Sequence, residues 1–247
     1  MGRIVTPQML TDQLAATCGD NLRTVMLYGS AAAGDHAGKH SDYNVLVVLD
    51  RLGVDELNAL APIVRPWIKA GNPPPLLLMA STLAKFAEVF PLEFADIKEH
   101  HQVLSGDDVV ASLAISSAKF QVELEYELRE KLILLRQQYL LTQGHPKRVT
   151  ELMTRSLSSM LVLCRGALRL FQSTVPAKKM DALAALTKHV PIDTHVFETI
   201  AQFKRRERVT GVAIDTLFAD YLRAMEAVTD AVDRWLSTHR EQKERIP

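Results

Sequence analysis

Apolar residues along this chain follow two rhythms. Up to about residue 108 they come as short runs separated by turn residues: Leu22 to Tyr28, Val45 to Leu49 and Leu76 to Met79. Runs of this length, rich in Val and Leu, predict strands. The second run is almost entirely aliphatic, which suits a strand buried on both faces in the middle of a covered sheet. After Asp108 the rhythm lengthens to steps of three and four. Phe120, Leu124, Leu128, Leu132, Leu135 and Tyr139 form one stripe, and Met153, Leu157, Met160, Cys164, Leu168 and Phe171 the next. Such spacing predicts amphipathic helices, the first of about 30 residues and ~45 Å.

Punctuation fills in the rest. Thr6 and Pro7 open a helix over 6–18, closed by Gly19-Asp20-Asn21. Asp55 to Ala70 predicts a second helix, with a kink or a break at Pro62 and Pro66. Ser81 or Thr82 caps a short helix that ends before Pro91. Leu92 to Ile97 alternates apolar and acidic residues and predicts a fourth strand, with a loop over Lys98 to Asp108. Gly144-His145-Pro146 separates the two long helices. A shorter helix is expected over Lys178 to His189. Another carries Val196, Ile200 and Phe203, and the last carries Leu217, Tyr221, Met225, Val228, Val232 and Trp235. The expected class is α+β. Residues 1–108 make an N-terminal mixed sheet with flanking helices, and 109–247 an all-α helical bundle.

Bulk composition narrows the function. Basic and acidic side chains balance at 29 each, so no global field points to nucleic acid or to an anionic membrane. Cys18 and Cys164 stand too far apart for a metal-ligand spacing and read as reduced thiols. The start MGRIVTPQML lacks a signal-peptide core, and charges interrupt every apolar run before membrane-spanning length. A soluble, cytoplasmic protein is expected.

The chemistry concentrates in Val25 to Asp50, VMLYGSAAAGDHAGKHSDYNVLVVLD. A strand ending in Gly29-Ser30 turns sharply and leaves amide N–H groups and a hydroxyl to cradle phosphate oxygens. Asp42, at the start of the next strand, can hold a divalent metal that bridges those phosphates. A residue two positions on shares its face, and that residue is Asn44. Lys39 and His40 precede Asp42; they can reach phosphates, or be solvated loop charges.

Gly29-Ser30 followed by Ser41-Asp42-Tyr43-Asn44 and an aliphatic run resembles the nucleotidyltransferase superfamily typified by polymerase beta. That pattern is an apolar strand, Gly-Ser, about ten residues, then Asp-x-Asp. The helical second half is similar to that of small-molecule adenylyltransferases that modify aminoglycosides, and Val175 to Leu183 is reminiscent of a Pro-x-x-Lys segment there. The resemblance implies binding of an NTP, ATP first among them, with magnesium. Gly29, Ser30, Lys39 and Asn44 would be nucleotide-binding, and Asp42 and Asn44 would stand at the metal. The implied reaction moves a nucleoside monophosphate to a hydroxyl of a small-molecule or protein acceptor. Asn44 departs from the pattern: its neutral oxygen is a poorer magnesium ligand than a carboxylate. The superfamily's third acid has no counterpart in Leu76 to Met79. Glu93 or Asp96 on the next run could substitute, and Glu93 is favoured as catalytic base or ligand. The alternative function is a catalytically degenerate relative acting as a nucleotide-binding or assembly module.

Weaker features complete the picture. His100-His101 lacks a third ligand at metal spacing. Lys204 to Arg208 is the most basic run and suits a solvated helix end. Arg234 and His239 fit the loose Arg-x4-His spacing of HEPN ribonucleases, a coincidence two residues reach easily. The outer faces of the helices are available to a second subunit, so a homo-oligomer through the helical half is also expected.

Overall fold

A computed structural model describes residues 6–29, 31, 32, 34 and 43–244. The chain folds as two compact units, Met1–Phe120 and Gln121–Pro247. The first carries a four-stranded mixed sheet and four helices, and the helices of the second follow it. The α+β expectation therefore holds.

In the first unit the elements run α1 (Pro7–Cys18), β1 (Leu22–Tyr28), β2 (Asn44–Leu49), α2 (Val54–Lys69), β3 (Leu76–Met79), α3 (Leu83–Val89), α4 (Pro91–Glu99) and β4 (His101–Gly106). A short 3-10 turn over Ala80–Thr82 leads into α3. The strand order is β3-β2-β1-β4. β1 pairs antiparallel with both β2 and β4, and β2 pairs parallel with β3. Alternation sends successive side chains to opposite faces. Val25, Leu27, Val45, Val47 and Leu49 meet Leu10 and Leu14 of α1 and Leu60 and Trp67 of α2. Met26, Leu46, Val48 and Leu78 meet Leu83, Ala87, Phe94 and Ile97 of α3 and α4. Both faces are covered, which is why the β2 sequence is aliphatic without interruption.

Two expectations need correction. Leu92–Ile97 is not a strand but the body of α4, with Pro91 in its first turn. The misleading alternation has a physical cause. Pro91, Leu92, Phe94, Ala95, Asp96 and Ile97 are all buried, and a helix covered on most sides loses the polar stripe that marks amphipathicity. The fourth strand lies instead at His101–Gly106, within the stretch expected as a loop. It is an edge strand, and its polar residues hid it. The prolines of α2 neither split the helix nor end it. Both are exposed, so the carbonyls they leave without donors face the solvent side.

The first unit extends past residue 108 because Val110 and Leu113 belong to the cluster beneath α3 and α4. The strand end at Gly106 is held closely. Its φ is +78°, and an added Cβ would stand 1.9 Å from the Arg23 carbonyl oxygen.

The helices that follow are α5 (Ser117–Thr142), α6 (Pro146–Phe171), α7 (Lys179–Leu186), α8 (Thr194–Lys204) and α9 (Ile214–Glu244). In the second unit α6 packs against α7, α8 and α9. Leu124, Leu128, Leu132 and Leu135 of α5 are buried, as are Met153, Leu157, Met160, Cys164 and Leu168 of α6. α5 and α9 run antiparallel, tied by Arg129–Asp233 at 2.8 Å and Arg136–Glu226 at 2.7 Å. Tyr139 stacks on Phe218 at 4.3 Å. Burial pushes the Cys164 thiol up to about 12, which keeps it protonated and unreactive. Among the described residues no helix is long and apolar enough to cross a membrane.

Gly106→Ala tests the edge pairing. The positive φ and the close approach to Arg23 together are expected to cost at least ~2 kcal/mol, read as a lowered urea midpoint. An unchanged midpoint would contradict the close approach of β4 to β1.

Candidate functional site

The site candidates gather where β1 ends and β2 begins. Tyr28 pairs with Asn44 on one side and with His101 on the other. Gly29 then leaves the sheet with φ +75°, and an added Cβ would come within 3.0 Å of the Asn44 Nδ2. The turn therefore needs glycine twice over, once for its left-handed backbone and once for the Asn44 amide lying against it. Ser30, Lys39 and Asp42 lie outside the described residues.

The entry into β2 is anchored from the opposite face. The Tyr43 N–H donates to the Asn72 Oδ1 at 3.1 Å, and the Tyr43 ring lies 6.1 Å from that of Trp67. The Trp67 indole donates to the Pro73 carbonyl at 2.8 Å. Buried Trp67 and the turn at Asn72 thus fix the residue between positions 42 and 44. No motif in the sequence marks Trp67 or Asn72 as a support of this corner.

Glu93 reaches the same neighbourhood from α4. Tyr28 is packed against the cluster that contains Leu46, Val48 and Phe94. Asn44 precedes Leu46 by two residues and shares that face by alternation. The Tyr28 hydroxyl donates to the Glu93 Oε1 at 3.3 Å. Sequence reasoning selected Glu93 on the mistaken premise of a strand. The helix brings it to Tyr28 all the same, because position 93 lies in the first turn of α4, on the rim of an otherwise buried helix. Tyr28 itself was not recognised as a site residue, although it adjoins Gly29.

The electrostatics of this corner are distinctive. The Glu93 residue is open to solvent on one side, yet protein packed around its carboxyl raises the pKa by desolvation. The Tyr28 hydrogen bond opposes this rise and the nearby Asp96 charge adds to it. Burial first, and the Glu93 charge second, also raise the Tyr28 phenol well above its ordinary value. Tyr28 is therefore a neutral donor at physiological pH. On the other side of Tyr28, His101 places Nδ1 2.8 Å from the Ile97 carbonyl and Nε2 3.1 Å from the Asp108 Oδ2. Desolvation works to raise the Asp108 pKa, but hydrogen bonds from His101 and the Ala111 and Val110 amides hold it below the ordinary value. His101 thus braces β4 against the following turn.

β3 presents Leu76, Leu77, Leu78 and Met79 beside β2 and brings no acid. Among the described residues no group of three or more His, Cys, Asp or Glu side chains could hold a metal ion. Asn44 is the described residue in the expected metal pair. Its amide supplies an oxygen without charge.

No family model matches the chain, and no curated protein does. A solved structure that it resembles is the spectinomycin adenyltransferase AAD(9) from Enterococcus faecialis, determined with ATP and spectinomycin. The TM-score is 0.57 over 91% of this chain and 96% of that one, at 13% sequence identity. The likeness is one of fold: a nucleotidyltransferase-like sheet domain followed by a helical domain.

Glu93→Gln tests the corner's electrostatics. The folded-state pKa is raised, so the folded protein holds this proton more tightly than the unfolded chain does, whose value is ~4.3. The stabilising contribution is complete below the unfolded pKa and is lost as pH rises through the folded one. The Gln carbonyl still accepts from Tyr28. The variant is expected to melt above the native protein at pH 7 and close to it at pH 4. An equal difference at both pH values would contradict the raised pKa.

Proposed function

We propose that the first unit binds a nucleoside triphosphate, ATP first among them, at the end of β1 and the start of β2. The phosphates lie against Gly29 and Ser30 with Lys39 reaching toward them, and magnesium is held through Asp42. The observation that carries this reading is the left-handed turn at Gly29, tucked under Asn44, in a chain whose fold is that of an adenyltransferase solved with ATP. A turn of this kind frees backbone N–H groups for an anion without a side chain in the way.

In the active form of this reading, an acceptor hydroxyl attacks the α-phosphorus of the nucleotide. The bond to the bridging oxygen breaks and pyrophosphate leaves, so a nucleoside monophosphate is transferred. Glu93 takes the hydroxyl proton, a role that its raised pKa suits. Tyr28 holds the Glu93 carboxylate in place. Magnesium, when bound, neutralises phosphate charge. With Asn44 in the pattern's second position and no acid on β3, the residues fit one ion carried with the nucleotide rather than a closely spaced pair. The acceptor in this reading is a small molecule or a protein, and the spectinomycin in the neighbour's structure favours the former.

The same two departures favour a second reading, a relative that keeps the nucleotide and has lost the transfer. One substitution separates the two. If the native chain moves label from α-labelled ATP to an acceptor, the second reading fails. If it is silent and Asn44→Asp creates transfer, the native chain is a disarmed enzyme.

Asp42→Ala tests what both readings share. By calorimetry the native protein is expected to bind ATP in the presence of magnesium, and the variant at least ~10-fold more weakly. Equal affinities would remove Asp42 from the site.

A further inference from the structure

One row of side chains crosses the sheet at the candidate site. His101 on β4, Tyr28 on β1 and Asn44 on β2 stand opposite one another, and residues paired in this way share a face. The next row inward on that face is Val103, Met26 and Leu46, all members of the apolar cluster or packed against it. Polar groups therefore begin abruptly at this rim. A polar group drawn partly out of water needs a partner to replace it.

Two of the three polar groups find that partner within the protein. His101 uses both ring nitrogens, one on the Ile97 carbonyl and one on Asp108. The Tyr28 hydroxyl is bound to Glu93. The Asn44 amide is half-buried like them and has no partner among the described residues. Its nitrogen is the atom turned to Gly29: the place of a Cβ there is 3.0 Å from Nδ2, 3.9 Å from Cγ and more than 4 Å from Oδ1. An amide NH2 is a pair of donors, and magnesium takes oxygen ligands. The group facing the turn is thus the one that suits a phosphate oxygen and not a cation. A carboxylate in its place would repel a phosphate unless a cation stood between them, whereas a neutral donor needs none.

We infer that Asn44 is a phosphate-binding residue and not a metal ligand. Its NH2 donates directly to a phosphate oxygen of the nucleotide, so this side of the site holds the anion without a cation. The inference rests on the proposed nucleotide site and gives the substituted position a task of its own there, in the active and the silent reading alike.

Calorimetry with ATP, once in excess magnesium and once in EDTA, separates the two roles. Asn44→Ala is expected to weaken binding about 10-fold in both conditions, because a hydrogen bond to a charged phosphate is lost either way. Asn44→Asp keeps the shape and removes the donor. It is expected to weaken binding at least ~10-fold more in EDTA than in magnesium, because the carboxylate then faces phosphate with no cation between them. A loss in Asn44→Ala confined to magnesium makes position 44 a metal site and overturns the inference. Unchanged affinity of Asn44→Ala in both conditions also overturns it, and leaves the nucleotide site standing. A native protein that binds ATP in neither condition overturns the nucleotide reading and the inference together. The native chain gives a test that needs no variant. In nitrogen-labelled protein the Asn44 NH2 signals are expected to shift when ATP is added in EDTA, and signals that respond only once magnesium is present overturn the inference.

Discussion

The antiparallel pairing of β1 with β2 is the constraint on which the candidate site depends. It sets Tyr28 opposite Asn44, and so decides what surrounds the turn at Gly29. With φ at +75° and the Asn44 amide against it, that turn would be strained by any side chain. The same register puts position 44 on the face where α4 delivers Glu93, and Tyr43 on the face where Trp67 holds it. One strand pair therefore brings together a turn suited to an anion, an amide where the superfamily pattern places an acid, and a carboxyl with a raised pKa.

Covering both faces of the sheet is what brings Glu93 there. β2 is buried along its length, so a helix must lie over each face. On the face of Tyr28 and Asn44 that helix is α4, whose buried residues leave Glu93 on the rim. A carboxyl at such a rim is partly desolvated without being sealed from solvent. That situation raises a pKa while leaving the group within reach of a ligand. The loss of charge at Asn44 and the gain of Glu93 from α4 are thus separate matters. In the proposed nucleotide site the first bears on how magnesium is held and the second on where the acceptor proton goes.

Much of the fold was legible in the residue pattern because strong local signals agreed with burial. Val45 to Leu49 and the stripes of α5, α6 and α9 are long or uniform enough to leave little choice. The errors fell where burial and periodicity part company. α4 is covered on most sides and imitates a strand, while β4 is an edge strand whose polar side chains imitate a loop. The glycine turn and the amide at position 44 could be read from spacing. The bond from Tyr28 to Glu93 joins residues 65 positions apart, and nothing local announces it.

The claim that the end of β1 and the start of β2 receive a nucleotide can be tested at the atoms concerned. In nitrogen-labelled protein, NMR resolves the Gly29 backbone amide and the Asn44 side-chain NH2. On titration with ATP and magnesium, both signals are expected to move together, saturably, and before those of the helical unit. If both stay fixed at millimolar nucleotide, or if only signals of the second unit respond, this corner of the sheet is not the nucleotide site.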